Sequence, residues 1–402
     1  MHILLIHQAF VTLEEPGGTR HYELACHLAD RGHRVTVIAS PISYLTGNAH
    51  TTNESAKKDD CITIIRAYTY SALHRSFVHR VFSFLSFMVS SFLIGLRVSK
   101  VDLVWGTSPP IFQGGSAWML SRIKKAPFIF EVRDLWPDFA IQVGVLRNRT
   151  LIRASHWLER FLYQHADLII VNSPGFIEHV RSRGAKRVEL VPNGADVLMF
   201  NPHARGEEFR QENGLGGKFI VLYAGAHGMS NDLQVVLQAA EQLVDQQEIV
   251  IVLVGDGKEK PKLQAMADEM KLGNVVFLPP VAKFHMAGVL AAADACIAIL
   301  KPIPMYSLVF PNKVFDYMAA GRPVILAIKG VIREVIETSQ AGIFVSPGDS
   351  SALARTIENL ANDRVYAREM GLRGRAYVEE NYNRTRLAEK LAQVMVQICK
   401  RD

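Results

Sequence analysis

The densest chemistry in the sequence lies in residues 310–325, where Pro311, Asn312, Lys313, Asp316, Gly321 and Pro323 punctuate an apolar run. Pro311 and Asn312 suit the approach to a short helix and its N-cap, and Gly321 suits its left-handed stop. Residues 324–328 read as a strand covered on both faces. Such a loop-to-helix start turns free backbone N–H groups outward, and Lys313 adds positive charge beside them, which makes a place for phosphate. Asp316, about one turn further on, can accept hydrogen bonds from a vicinal diol such as a ribose. Phosphate and diol together describe a nucleotide. The competing reading is an ordinary loop whose Lys and Asp are solvated.

Other candidates sit where strands are expected to end. Gly17 and Gly18 let backbone approach a ligand at the carboxyl end of the first strand, without forming the G-x-G-x-x-G dinucleotide fingerprint. Arg133 and Asp134 follow a buried strand at 128–132, a position where ligands bind in open α/β sheets; a structural Arg–Asp pair is the alternative. Gly225, His227 and Gly228 form a second glycine loop, and Gly255-Asp256-Gly257 ends another strand. The sequence has no Gly-x-Ser-x-Gly elbow, no Walker lysine loop and no zinc-like His/Cys spacing. Triad hydrolysis and P-loop chemistry are therefore disfavoured, and no metal is called for.

Alternating strands and helices must position these residues. Residues 2–10 read as strand, 21–31 as helix closed by Gly32, and 34–40 as strand, a β-α-β opening that implies a parallel sheet. Further strands are expected at 101–105, 128–132, 168–172 and 188–191. A linker rich in Asn, Pro, Gly and charge then leads to a second series at 218–225, 249–254, 275–278, 294–300 and 324–328. The tail, 364–401, reads as largely amphipathic helix. With 402 residues the chain exceeds one ordinary core, so two doubly wound α/β domains facing across a cleft are expected.

The composition, 49% hydrophobic and 21% charged, is globular. A net charge of +6 fits an anionic small substrate or an anionic membrane face, and is too dispersed to argue for nucleic acid. Cys26, Cys61, Cys296 and Cys399 have no paired spacing, which suggests a reduced, cytoplasmic protein. Residues 1–7 read as a strand without a basic n-region, so no signal peptide is expected. Residues 47–60 read as a polar, turn-rich loop.

Residues 81–96 stand apart: they carry no charge, and 11 of the 16 are apolar. The stretch is shorter than the roughly 20 residues that span a bilayer. Arg75, His79 and Arg80 precede it, Arg97 and Lys100 follow, and Ser83, Ser86 and Ser90 make one small-polar stripe. It reads either as a core helix or as an in-plane membrane helix whose basic flanks hold phospholipid heads, with Phe84, Phe87 and Phe92 as its anchors.

Taken in order, several motifs resemble those of the retaining, nucleotide-sugar-dependent glycosyltransferases of family 4, which have the GT-B fold. They are Pro16-Gly17-Gly18-Thr19-Arg20, Gly32-His33-Arg34-Val35, residues 191–196 (VPNGAD), Tyr223-Ala224-Gly225, residues 254–257 (VGDG), and Pro311-Asn312-Lys313 through Gly321-Arg322-Pro323. Residues 131–137 (EVRDLWP) are similar to the branch that adds N-acetyl-fucosamine-type sugars in O-antigen and capsule assembly.

The resemblance implies two Rossmann-like domains, an acceptor- and membrane-facing one over 1–200 and a nucleotide-sugar one over 218–380, joined by a linker at 201–217. A C-terminal helix over 381–402 would cross back to the first domain. It also implies that Gly17 and Gly18 approach the donor diphosphate from the first domain and that Gly225, His227 and Gly228 do so from the second. Asp256 belongs to the same set of donor loops. Backbone near Val281 would meet the base, Lys313 phosphate and Asp316 ribose.

The pattern is broken in three places. Leu308 replaces the first of two acids spaced eight apart. Ala226 replaces a phosphate-binding Arg, for which Lys283 and Lys313 are substitutes. Arg133 replaces a His, leaving Arg133 and Asp134 as the suspects for sugar contact and catalysis. The implied reaction moves a sugar from a UDP-type donor to a polyprenyl-diphosphate-linked saccharide at the inner-membrane surface, with no cofactor. A non-catalytic nucleotide-sugar-binding subunit and a sugar-nucleotide epimerase are the alternatives.

Overall fold

The computed structural model describes residues 1–43, 62–71 and 77–400; the expected loop at 47–60, Cys61 and Arg75 lie outside the described residues. The chain divides into two units. The first comprises Met1–Thr12, Gly18–Pro192 and Thr385–Asp402, and the second Leu13–Gly17 and Asn193–Arg384.

The first unit is built on a seven-stranded, wholly parallel sheet. Its strands are β1 (His2–Ile6), β2 (Arg34–Ala39), β3 (Ile62–Arg66), β4 (Leu103–Ser108), β5 (Phe128–Val132), β6 (Leu168–Val171) and β7 (Val188–Leu190). Their order is β3-β2-β1-β4-β5-β6-β7. These strands are near-continuous apolar runs because helices cover both faces. Helix α1 (Arg20–Asp30) contributes Leu24 and Leu28 to one core layer. The C-terminal helix Arg384–Cys399 adds Leu387, Leu391 and Met395 to that same layer. The return of this last helix to the first domain is thus observed.

β1 is shorter than the expected 2–10. His7 N still donates to Ile38 O and Gln8 O accepts from Ser40 N, but Gln8 N donates to Gln113 Oε1 instead of to a neighbouring strand. β3 was not anticipated.

Helix α2 (Phe77–Arg97) packs along helix α3 (Phe112–Lys124). Its serine stripe faces the protein: Tyr70 N donates to Ser86 Oγ, and Ser90 Oγ donates to Tyr68 O. Phe84 and Phe87 are buried, with Phe84 stacked on Phe112, which corrects their expected role as membrane anchors. Phe92 is half-buried. The outward face instead carries Phe82, Val89, Leu93 and Leu96, with Phe82 58% exposed.

The second unit has a six-stranded parallel sheet of order β10-β9-β8-β11-β12-β13. The strands are β8 (Phe219–Ala224), β9 (Ile249–Val254), β10 (Val275–Leu278), β11 (Ala295–Ile299), β12 (Val324–Ala327) and β13 (Gly342–Phe344). β13, only three residues long, was also not anticipated. In each sheet the order reverses once, between β1 and β4 and between β8 and β11. Such switch points open a crevice at the carboxyl ends of the strands.

Candidate active site

In the second unit the candidate residues converge at the end of β8. Tyr317, one turn into the helix Asn312–Ala319, places its hydroxyl on the strand end: it accepts from Ala224 N at 2.9 Å and reaches Ala224 O at 3.2 Å. That clamp fixes the helix against the glycine loop. Gly225 has φ 151° and Gly255 φ 149°, in the region that favours glycine. A Cβ on Gly255 would run into Gly225 O, and one on Gly225 would lie 2.6 Å from Lys313 Nζ. Two backbone turns and one lysine thus meet where no side chain fits. A Cβ on Gly228 would meet only Asn231 Nδ2, at 3.7 Å.

Lys313 Nζ lies 3.8 Å from the centre of the Tyr223 ring and has no hydrogen bond or ion pair among the described residues. Burial lowers its pKa to about 7. Asp316 is 8% exposed; its Oδ2 accepts from Lys283 Nζ at 2.6 Å and from Asn312 Nδ2 at 3.2 Å. Lys283 is therefore Asp316's partner and not the free phosphate cation expected of it. Asn312 is the first helical residue and makes no cap bond, because its Oδ1 accepts from Arg384 Nη2 at 2.9 Å.

His227 is fully buried between Tyr223 and Phe277, and neither ring nitrogen has a partner among the described residues. Burial, then Lys260 and Lys313, lowers its pKa to about 4, so it is neutral at physiological pH. Its backbone, not its ring, takes part in the loop: His227 N donates to Asp256 O, and Asp256 Oδ1 accepts from Gly257 N. Val281 packs partly buried against the core at the end of β10. Leu308 closes a short 3₁₀ turn, Pro304–Leu308.

Gly17 (φ 146°) belongs to the second unit, not to the first as expected. The cause is local: Phe284 N, in the first turn of the helix Lys283–Ala292, donates to Leu13 O. Gly18 belongs to the first unit, and a Cβ there would meet nothing within 4 Å.

The first unit gathers its polar groups at the ends of β1, β4 and β5. Glu131, wholly buried inside β5, accepts from Arg20 Nε at 3.2 Å and from His21 Nε2 at 2.9 Å. Burial alone would raise the Glu131 carboxyl, but His21 and Arg20 hold it well below the usual carboxylate range. Burial lowers His21 to about 4 against the pull of Glu131, so its ring is a neutral donor and Arg20 carries the charge. Arg20 also donates to Val191 O and Pro192 O, both at 2.8 Å, tying α1 to the far strand. His7 lies 4.2 Å from His21, ring to ring, and bonds Thr107 Oγ1 at 2.8 Å.

Arg133 and Asp134 follow directly. Arg133 Nε donates to Ser108 O at the end of β4, at 3.1 Å. Asp134 takes the N–H of Leu135, while its Oδ1 is buried with no partner among the described residues. Burial raises its pKa to about 7 against the pull of Arg133. A carboxyl poised near neutrality at a strand end can hold or release a proton. Among the described residues no group of three or more His, Cys, Asp or Glu could hold a metal ion.

Sequence reasoning missed Glu131, Arg20, His21, Tyr223 and Tyr317. One signal was present: a Glu inside the apolar run FIFEV must find a buried partner.

Residues 17–194 match the family described as Glycosyl transferase 4-like domain, and residues 218–363 match Glycosyl transferases group 1. WcaI of Escherichia coli, assigned as a colanic acid biosynthesis glycosyl transferase, is 25% identical over 312 residues, covering 74% of this chain and 76% of WcaI. Among solved structures, sucrose-phosphate synthase from Thermosynechococcus elongatus superposes with a TM-score of 0.79 at 20% identity, over 100% of both chains. HepE of Anabaena, solved with UDP and glucose, gives 0.75 at 18% identity, over 99% of this chain and 100% of HepE. At these identities the structures establish the shared two-domain fold.

Proposed function

The chain belongs to the group 1, family 4-like glycosyltransferases of GT-B fold, and on that premise we propose that it moves a sugar from a UDP-type donor to a lipid-diphosphate-linked saccharide, with retention, in cell-surface polysaccharide assembly. The observation that carries the donor half is Lys313, a buried, unpaired ammonium lying under Gly225 where the backbone leaves no room for a side chain. A diphosphate there would restore the charge that burial removes from the lysine. The N-terminus of the helix Asn312–Ala319 adds partial positive charge at the same point. These groups would hold the charge that develops on the leaving diphosphate, the largest single contribution in reactions of this kind.

Asp316 is the acceptor for the ribose diol, held in place by Lys283 and Asn312. In the first unit Arg133 offers a fork of donors to sugar or phosphate oxygens, and Asp134 supplies a carboxyl that changes protonation near neutral pH. No group among those described is placed as a protein nucleophile, and the donor's own phosphate oxygen takes the acceptor proton in this reading.

The same reading places the chain at the cytoplasmic face of the inner membrane. α2 is long and apolar enough to cross a bilayer by length and composition. It does not have the all-round apolar surface of a span, because its serine stripe and Phe87 face the protein. Its outward stripe, bounded by Arg80 and Arg97, suits burial in the plane of an anionic phospholipid surface. Kinship with WcaI favours a polysaccharide acceptor.

The test is turnover of a panel of nucleotide sugars with a polyprenyl-diphosphate saccharide, with the anomeric configuration of the product read by NMR. A glycosylated lipid with retained configuration supports the proposal; an inverted product overturns the front-face reading.

A further inference from the structure

The second unit contains a cavity of about 990 Å³ that is separate from the donor loops. Its lining includes Phe219, which starts β8, Asp294, which precedes β11, and Pro323, which precedes β12. In a parallel sheet these positions share the amino edge, whereas Gly225 and Gly255 sit at the carboxyl edge. The cavity is therefore at the opposite end of the sheet from the donor site.

Five arginines line it: Arg205, Arg210, Arg322, Arg364 and Arg368. Glu207, Asp294 and Glu369 are the carboxylates there. The pairing is incomplete. Arg210 is neutralised by Asp294 at 2.8 Å, and Arg364 reaches Glu248 at 3.7 Å. Arg322 gives Nη2 to Ala204 O and Ala291 O, but has no ion pair, and its Nε is buried without an acceptor among the described residues. Burial lowers its pKa, and Arg210 and Arg368 push the same way while Asp294 opposes. Arg205 and Arg368 make neither a hydrogen bond nor an ion pair among the described residues. The helix Arg364–Asn381 begins at this rim, its N-terminus capped by Asp363, whose Oδ1 accepts from Tyr366 N at 2.9 Å. Five guanidiniums face three carboxylates in this lining, and Arg205, Arg322 and Arg368 have no ion pair among the described residues, so positive charge is in excess around the hollow.

The geometry points to a second ligand site in this cavity, one that takes a small phosphate-bearing anion between Arg205, Arg322 and Arg368. Guanidinium forks match phosphate oxygens in pairs, and a multivalent anion relieves the mutual repulsion of all three side chains. The site bears on the donor loops through the chain. Arg322 directly follows Gly321, which ends the helix bearing Lys313 and Asp316, and only Pro323 separates it from β12. An anion that fixes Arg322 thus steadies the C-terminal end of that helix.

Inorganic pyrophosphate is the probe, titrated calorimetrically into the full chain carrying Lys313→Met, which weakens binding of the probe at the donor loop. One equivalent is expected to bind. Adding Arg205→Glu and Arg368→Glu, both exposed positions, is expected to weaken binding by about tenfold or more while the thermal transition stays in place. The proposal fails if the Lys313→Met chain binds no pyrophosphate. It also fails if the charge-reversed chain binds as tightly as its parent.

Discussion

Replacing Asp316 with Ala separates what holds the second unit together from what it binds. The substitution removes the partner of Lys283 Nζ, 2.6 Å away, in a pair whose side chains are 9% and 11% exposed. An ammonium is then left buried without a counter-charge; breaking such a pair from one side costs about 3–5 kcal/mol. Asn312 also loses an acceptor, about 1 kcal/mol more. For a unit of this size each kcal/mol is worth about 2–4 °C, so its calorimetric transition is expected to fall by roughly 8–24 °C. The double variant Lys283→Met/Asp316→Leu removes both charges and fills the space with apolar atoms. It is expected to unfold within about 2 kcal/mol of the parent, because exchanging a buried pair for hydrophobic residues is often neutral. UDP binding, measured by titration, is lost in both variants, since neither has the carboxylate. Two results would refute the reasoning: a single variant that unfolds within a few degrees of the parent, or a double variant that unfolds as low as the single one.

Three further outcomes are expected. Asp134 has a folded pKa of about 7 against 3.8 unfolded, so its stabilising contribution is complete below pH 4 and lost as pH rises to 7; Asp134→Asn should flatten that part of the urea-unfolding pH profile, and an unchanged profile counts against its burial. Lys313, with a pKa of about 7, is largely neutral at pH 8.5, so a nucleoside diphosphate that recharges it takes up protons; calorimetry in buffers of different ionisation enthalpy reads that uptake, and its absence would remove Lys313 from the diphosphate. Replacing Phe82, Val89 and Leu93 with Ser should release the chain from floating anionic vesicles, whereas continued flotation would show that the outward face of α2 is not what binds lipid.

The parts of this structure that could be read from sequence are those with local causes. The helix bearing Lys313 and Asp316 stops at Gly321, whose φ of 68° a glycine supplies. The Gly225 and Gly255 turns likewise fall where strands end. What could not be read depends on residues distant in the chain. Lys283 and Asp316 are 33 residues apart and Arg20 and Glu131 are 111 apart, so nothing local marks them as partners. The loop holding Gly17 meets the second unit where Phe284 N donates to Leu13 O, a pairing of residues 271 apart in the chain. For α2, composition announced an apolar helix but not its facing, because phenylalanines occupy both sides; only packing against α3 and residues 67–70 selects Phe84 and Phe87 for burial. β13 is three residues long, too short for a periodic signal.

The central claim is that the second unit binds a nucleoside diphosphate at the Gly225–Lys313 cradle. Thermal unfolding of the full chain and of Lys313→Met, each with UDP at about 100 times its dissociation constant for the parent chain, tests it directly. The parent is expected to gain about 2.7 kcal/mol of stability and Lys313→Met little or none. Equal stabilisation of both chains, or none of the parent by any nucleoside diphosphate, would contradict it.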